Sequence, residues 1–153
     1  VTASLREVSE QAFDGCREFE AFEMKGENPN FTVIDGVLFS KDGKTLLCYP
    51  TAAPAESYQV PKGVEQIAAY AFRERSKLVS VTFPDSLKEV GDYAFYGCAA
   101  LERAVFSENE EGIILGYSAF SACRLLTELQ LGGVREIGGN AFSNCESLRF
   151  SLS

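Results

Sequence analysis

Val90-Gly91-Asp92-Tyr93-Ala94-Phe95-Tyr96-Gly97-Cys98-Ala99-Ala100-Leu101 is one unit of a repeat. An apolar residue is followed by four residues and Phe, then by two residues and Cys, then by two residues and another apolar residue. Ala precedes the Phe. The same frame recurs along the chain. It appears as Val8 with Ala12-Phe13 and Cys16, leading to Phe19 and Phe22. It appears again as Ile67 with Ala71-Phe72, then Arg75 where Cys is expected, then Leu78. Leu115 with Ala119-Phe120, Cys123 and Leu126 is a further copy, and Ile137 with Ala141-Phe142, Cys145 and Leu148 is the last. The Phe positions 13, 72, 95, 120 and 142 are separated by 59, 23, 25 and 22 residues. Three separations share one period near 23, and the first equals 23 plus an insertion of 36. A fixed period of this size is the mark of a solenoid.

Each unit has its own internal periods. In Leu78-Val79-Ser80-Val81-Thr82-Phe83-Pro84, Val81 and Phe83 alternate with Ser80 and Thr82. Leu126-Thr127-Glu128-Leu129-Gln130-Leu131 alternates in the same way. Period-two alternation predicts a half-buried strand, and Pro84 ends its strand because it has no N–H to donate. A shorter extended piece precedes the Phe in Val64–Ile67, Leu87–Val90 and Val134–Ile137. Ala-Phe-x-x-Cys is expected to form one helical or 3₁₀ turn, since residues three apart share a face. A coil of about 23 residues cannot enclose a core alone, so its Phe, Cys, Leu and Val must pack on the next coil. The expected core is therefore Phe13, Phe72, Phe95, Phe120 and Phe142, with Cys16, Cys98, Cys123 and Cys145.

The insertion at 25–58, between the first and second copies, is expected to be a β-meander. Phe31–Ile34, Val37–Ser40 and Thr45–Tyr49 are its strands, and Asp35-Gly36 and Asp42-Gly43 signal tight turns. It should pack beside the solenoid, because a lone hairpin is marginal in water. The whole of 1–153 then reads as one β-rich solenoid domain of parallel strands and short helical turns, carrying an inserted meander.

Composition narrows the functions available. The chain has 153 residues, 46% of them apolar, with 14 basic and 22 acidic side chains and a net charge of −8. Nucleic acid is not an expected partner, because phosphate binding needs basic surface. Nor is anionic lipid, and no stretch approaches the ~20 apolar residues that cross a bilayer. There are five Cys and no His. The odd count argues against a complete disulfide framework, and without His there is no Ser–His–Asp triad or His-based zinc site. No Gly-rich phosphate loop is present. We therefore expect no catalytic residues, no metal and no cofactor. The chain begins at Val1 rather than Met, and neither end reads as a polar cap, so a fragment or module of a longer protein is expected.

The third copy, Leu78-x-x-Val81-x-Phe83-Pro84-x-x-Leu87-x-x-Val90-Gly91-x-x-Ala94-Phe95-x-x-Cys98, resembles the unit of the BspA-like, or Treponema-type, leucine-rich repeat family. Asp35-Gly36-Val37-Leu38-Phe39, Leu46 to Tyr49-Pro50 and Val60-Pro61 are similar to an insert common in that family. The resemblance covers nearly the whole chain and is specific for fold. For function it implies a surface or secreted protein of a host-associated bacterium or a protist. The usual implied role is adhesion to host or matrix proteins. Arg75 departs from the pattern by replacing a core Cys, Ala104 thins one strand, and Ser151 falls at an inward position unless the last strand slips to bury Phe150 and Leu152.

The candidate binding residues are the outward strand positions. Ser80 and Thr82, Arg103 and Val105, and Glu128 and Gln130 should lie in parallel rows on a concave sheet, the kind of extended face that solenoids use for recognition. A protein or glycan ligand fits this reading, and a structural spacer within a larger surface protein is the alternative. The Cys column reads as small buried thiols, and Cys48 as core-facing. Glu108-Asn109-Glu110-Glu111 lacks the spaced ligands of a calcium loop and reads as solvated. Tyr70, Tyr93, Tyr96 and Tyr117 fall on or near turns, where they shield the core edge or form a binding rim. Asn30-Phe31-Thr32 matches a glycosylation sequon by pattern only. Gly132-Gly133 and Gly138-Gly139 are placed at corners where positive φ is useful.

Overall fold

The computed structural model describes residues 1–149; the expected burial of Phe150 and Leu152 lies outside them. The alternating segments form strands, and no helix is present among the described residues. In chain order the strands are β1 (Phe31–Ile34), β2 (Val37–Ser40), β3 (Thr45–Cys48), β4 (Ser57–Gln59), β5 (Gln66–Ile67), β6 (Ser80–Phe83), β7 (Glu89–Val90), β8 (Arg103–Phe106), β9 (Ile113–Leu115), β10 (Glu128–Gln130) and β11 (Val134–Ile137). They build a β-solenoid of about four turns with two sheets. One has four parallel strands in the order β10-β8-β6-β4, and the other has seven in the order β1-β2-β3-β5-β7-β9-β11. From β3 to β10, each coil contributes one strand to the larger sheet, a turn carrying the core aromatic, and one strand to the smaller sheet.

The core is a column of stacked rings. Phe72–Phe95 centroids lie 4.4 Å apart and Phe95–Phe120 4.8 Å apart, with interplanar angles of 13° and 2°. Phe120–Phe142 extends the stack at 5.7 Å. A second stack, Phe83–Phe106 at 4.3 Å, meets the first edge-on. Leu78, Val81, Leu87, Val90 and Leu101 fill the layers between and are fully buried.

The expected helical turn is replaced by tight turns, for a reason visible in the backbone. Two residues flank each core Phe with positive φ: Tyr70 and Glu74, Tyr93 and Gly97, Ser118 and Ala122, Asn140 and Asn144. A left-handed residue every fourth position prevents a helix from propagating. The N–H groups alternate in destination instead. Ala94, Tyr96 and Cys98 donate within their own coil, to Gly91, Tyr93 and Phe95, while Tyr93, Phe95 and Gly97 donate to Tyr117, Ala119 and Ser121 of the next. Half of the turn's hydrogen bonds thus tie successive coils together, whereas a helix would keep them to itself.

Phe13 and Cys16 are not members of the column. Phe13 packs with Phe19 and Phe22 at 5.3 and 5.0 Å in a separate cluster with Phe31 and Leu38, and Cys16 is exposed. Their local turn is nonetheless repeat-like: Gln11 and Gly15 have positive φ, and Ala12, Asp14 and Cys16 make the same within-coil bonds. The first ring of the column is Tyr49. It stacks on Phe72 at 4.8 Å, and its N–H donates to Ala71 as the Phe72 N–H donates to Ala94. Tyr49 precedes Phe72 by 23 residues, one repeat period.

The meander therefore belongs to the solenoid rather than lying beside it. β1 and β2 pair antiparallel across the Asp35-Gly36 turn, where both residues have positive φ, as a two-residue hairpin requires. β3 pairs antiparallel with β2 and parallel with β5. It acts as the short strand of the first stacked coil.

Candidate functional site

The outward face of the four-stranded sheet is built by register. β6, β8 and β10 align Ser80 with Arg103 and Arg103 with Glu128, and Thr82 with Val105 and Val105 with Gln130. The six residues named from sequence form two parallel rows. Their inward neighbours Val81, Phe83, Ala104 and Phe106 are buried, which fixes the outward orientation. Ala104 is fully buried in register with Val81. β4 lengthens the rows with Ser57 beside Ser80 and Gln59 beside Thr82. These two were missed from sequence, although Val60-Pro61 repeats Phe83-Pro84 and the strand could have been traced back from it.

The face is polar, with one dominant interaction. Arg103 donates from Nε and Nη2 to the two oxygens of Glu128, at 2.6 and 3.0 Å. This is a two-pronged charge-assisted pair between adjacent strands. The Arg103 guanidinium holds the Glu128 carboxyl below the usual range, and the carboxylate raises Arg103 in turn. Both side chains are more than half exposed. The remaining positions offer hydroxyls, amides and one Val methyl pair. Beyond the strand ends, Gln59, Thr82, Pro84, Asp85, Ser107 and Glu108 border a shallow groove of about 370 Å³.

The turn edge carries the tyrosines. Tyr70 and Tyr93 stack at 5.2 Å, Tyr117 meets Tyr93 edge-on at 5.6 Å, and the Arg73 guanidinium lies 5.8 Å from the Tyr70 and Tyr96 rings. Burial pushes the Tyr93 hydroxyl up. These rings mostly face one another, and Tyr117 is the most open of them, with Asn140 donating to its hydroxyl.

The thiols are structural donors. Cys98, Cys123 and Cys145 donate from Sγ to the carbonyls of Phe72, Phe95 and Phe120, each one coil back, at 2.9, 3.1 and 3.1 Å. A bond to Cys98 and burial push the Cys123 thiol far up, and burial alone raises Cys145. A raised thiol is a poor nucleophile. Cys48 is buried as expected, and burial raises it against the pull of Arg75. Arg75 takes over the Cys role: its Nε donates to the Tyr49 carbonyl at 2.7 Å.

Elsewhere the acidic run is tied down by Asn109, which donates to Leu87 and accepts from the Glu111 N–H. Glu111 pairs with Lys88, Lys88 with Glu65, and Glu65 with Lys44, one residue per coil. Among the described residues no group of three or more His, Cys, Asp or Glu could hold a metal ion.

The BspA-type leucine-rich repeat region model matches residues 48–152 as six copies. Solved structures are similar over most of the chain. A leucine-rich cell surface protein of Faecalibacterium prausnitzii is 29% identical over 91% of this chain and 37% of its own, with a TM-score of 0.78. A leucine-rich repeat protein of Eubacterium ventriosum is 23% identical over 97% of this chain and 40% of its own, with a TM-score of 0.86. The pneumococcal vaccine antigen PcpA is 23% identical over 97% and 42%, with a TM-score of 0.69; at 23% identity the last two likenesses concern the fold. The chain spans about two fifths of the length of these structures. No match is found among curated proteins. With a family model covering more than half of its residues, the chain belongs to the BspA-type leucine-rich repeat family.

Proposed function

We propose that this chain is a non-catalytic interaction module of a cell-surface or secreted protein, engaging a protein or glycan ligand through the outward face of the four-stranded sheet. The observation that carries this reading is the pair of in-register rows, Ser57-Ser80-Arg103-Glu128 and Gln59-Thr82-Val105-Gln130. A rigid core spaces these donors and acceptors at strand separation, about 4.8 Å. Such a face binds by many small contacts, without the ordering cost of a flexible loop. The surface compartment is supported by the name of the Faecalibacterium relative. The small share of the relatives' length that the chain spans also favours a second reading, a spacer that positions neighbouring modules.

The test is the double variant R103A/E128A, read against immobilised host matrix proteins and a glycan array. An exposed ion pair contributes little to folding, so circular dichroism and the melting temperature should be unchanged. Wild type should retain at least one ligand, and the variant should bind it roughly tenfold or more weakly, the effect of one lost charge-assisted contact. Equal retention of every ligand by both proteins would exclude this face as the binding surface.

A further inference from the structure

Arg75 is the exception in the Cys column and the starting point for a second site. It is 4% exposed. Its donors reach the carbonyls of Tyr49 and Arg73 and the sulfur of Cys48. No carboxylate pairs with it among the described residues. A buried charge met only by dipoles is costly to hold, and a Cys in its place would make the same bond to Tyr49 without that cost. Arg75 also lines a cleft of about 320 Å³ between the turn at 14–17 and the turn at 73–76. That volume suits a small ligand.

The rest of the cleft extends the pattern. It is lined by Arg17, Arg73, Arg75, Thr51 and Ser76 together with Asp14 and Glu74, and the Thr51 hydroxyl donates to the Cys16 and Phe19 carbonyls. Both carboxylates are already engaged by Arg73, at 2.9 and 3.7 Å. Among the described residues Arg17 and Arg75 have no counter-ion. Among the described residues the buried Arg73 Nε has no acceptor, and the N–H of Gly15, whose counterpart Gly97 bonds to the next coil, has no partner. In a chain of net charge −8, this cleft combines an excess of positive charge with unused donors.

We infer that the cleft between the Gly15 and Arg75 turns binds a small oxyanion — a sulfate, phosphate or carboxylate group, free or on a monosaccharide-sized molecule — with Arg75 and Arg17 as its charge partners. This site lies away from the sheet face and does not depend on it. A bound oxyanion would neutralise Arg75, and it would bridge the first, unstacked turn to the solenoid.

The test titrates ¹⁵N-labelled protein with sodium sulfate, sodium phosphate or sodium acetate, holding ionic strength constant with sodium chloride. Saturable amide shifts are expected at Gly15, Thr51 and Ser76 with at least one of the three anions, and their relative affinities identify the preferred group. Arg75→Cys restores the residue used in the other coils and should keep the fold while weakening binding roughly tenfold or more, the loss of one charge-assisted bond. Arg17→Gln alters an exposed side chain and decides the matter if Arg75→Cys fails to fold; it should weaken binding several-fold. Linear, non-saturating shifts with all three anions would overturn the inference, as would saturable shifts that survive both substitutions.

Discussion

Identical-looking residues have different values at different places in this chain. Phe95 and Phe13 occupy the same position of the same motif. Phe95 is fully buried between Phe72 and Phe120, and Phe13 is half-buried in a satellite cluster. Phe95→Ala should cost roughly 3–5 kcal/mol, as deletion of a buried Phe does. Phe13→Ala should cost about 1–2 kcal/mol, nearer the average for any substitution. Urea denaturation of both variants checks this, and equal losses would place Phe13 in the column after all. The Ala-Phe-x-x-Cys frame was sufficient to locate Phe72, Phe95, Phe120 and Phe142 because a buried position with one allowed shape tolerates little variation. It misassigned Phe13 because the motif encodes the turn, and the turn forms whether or not a neighbour stacks on it. Tyr49 lacked the frame, and only its spacing of 23 residues from Phe72 could have revealed it.

The coil corner is the element where sequence and structure meet most closely. Gly91, Gly116 and Gly138 stand four residues before the core Phe. A Cβ on Gly116 would sit 2.6 Å from Asp92 Oδ1 and 2.7 Å from its backbone N, and one on Gly138 2.7 Å from the Gly116 carbonyl carbon. These glycines serve close approach between coils. For Gly138 and Gly139 this replaces the expected positive φ, which among the four corner glycines only Gly132 has. Gly116→Ala should therefore destabilise by roughly 1–3 kcal/mol, the cost of overpacking, measured by thermal melting against wild type. A neutral result would mean that the stack can dilate there. Period-two alternation made β6 and β10 legible, and turn signals made β1 to β3 legible, whereas the three-residue strands β4 and β9 are too short to show a period. The turn was misread as helical because spacing of three and four residues is common to a helix and to consecutive β-turns. The two are told apart by the residues flanking Phe, whose positive φ no spacing rule reports.

At the scale of the whole molecule, one device repeats. The coils of Phe72, Phe95 and Phe120 each send half of their turn hydrogen bonds, one aromatic ring and one thiol or guanidinium donor to a neighbouring coil. Stability in such a stack is close to a sum over neighbouring interfaces. The binding rows could be read from sequence because alternation assigns each strand residue a side. What they bind could not, since hydroxyls and amides on an open face suit many partners. The column begins at Tyr49 and excludes the first motif copy. Native-state hydrogen exchange of backbone amides tests it most directly. The Tyr49, Phe72, Phe95 and Phe120 amides, each bonded to the next coil, should exchange only through large-scale unfolding, while those of Gln11, Phe13 and Gly15 should exchange orders of magnitude faster. A Phe13 amide as protected as that of Phe95, or a Tyr49 amide exchanging like an exposed loop, would contradict it.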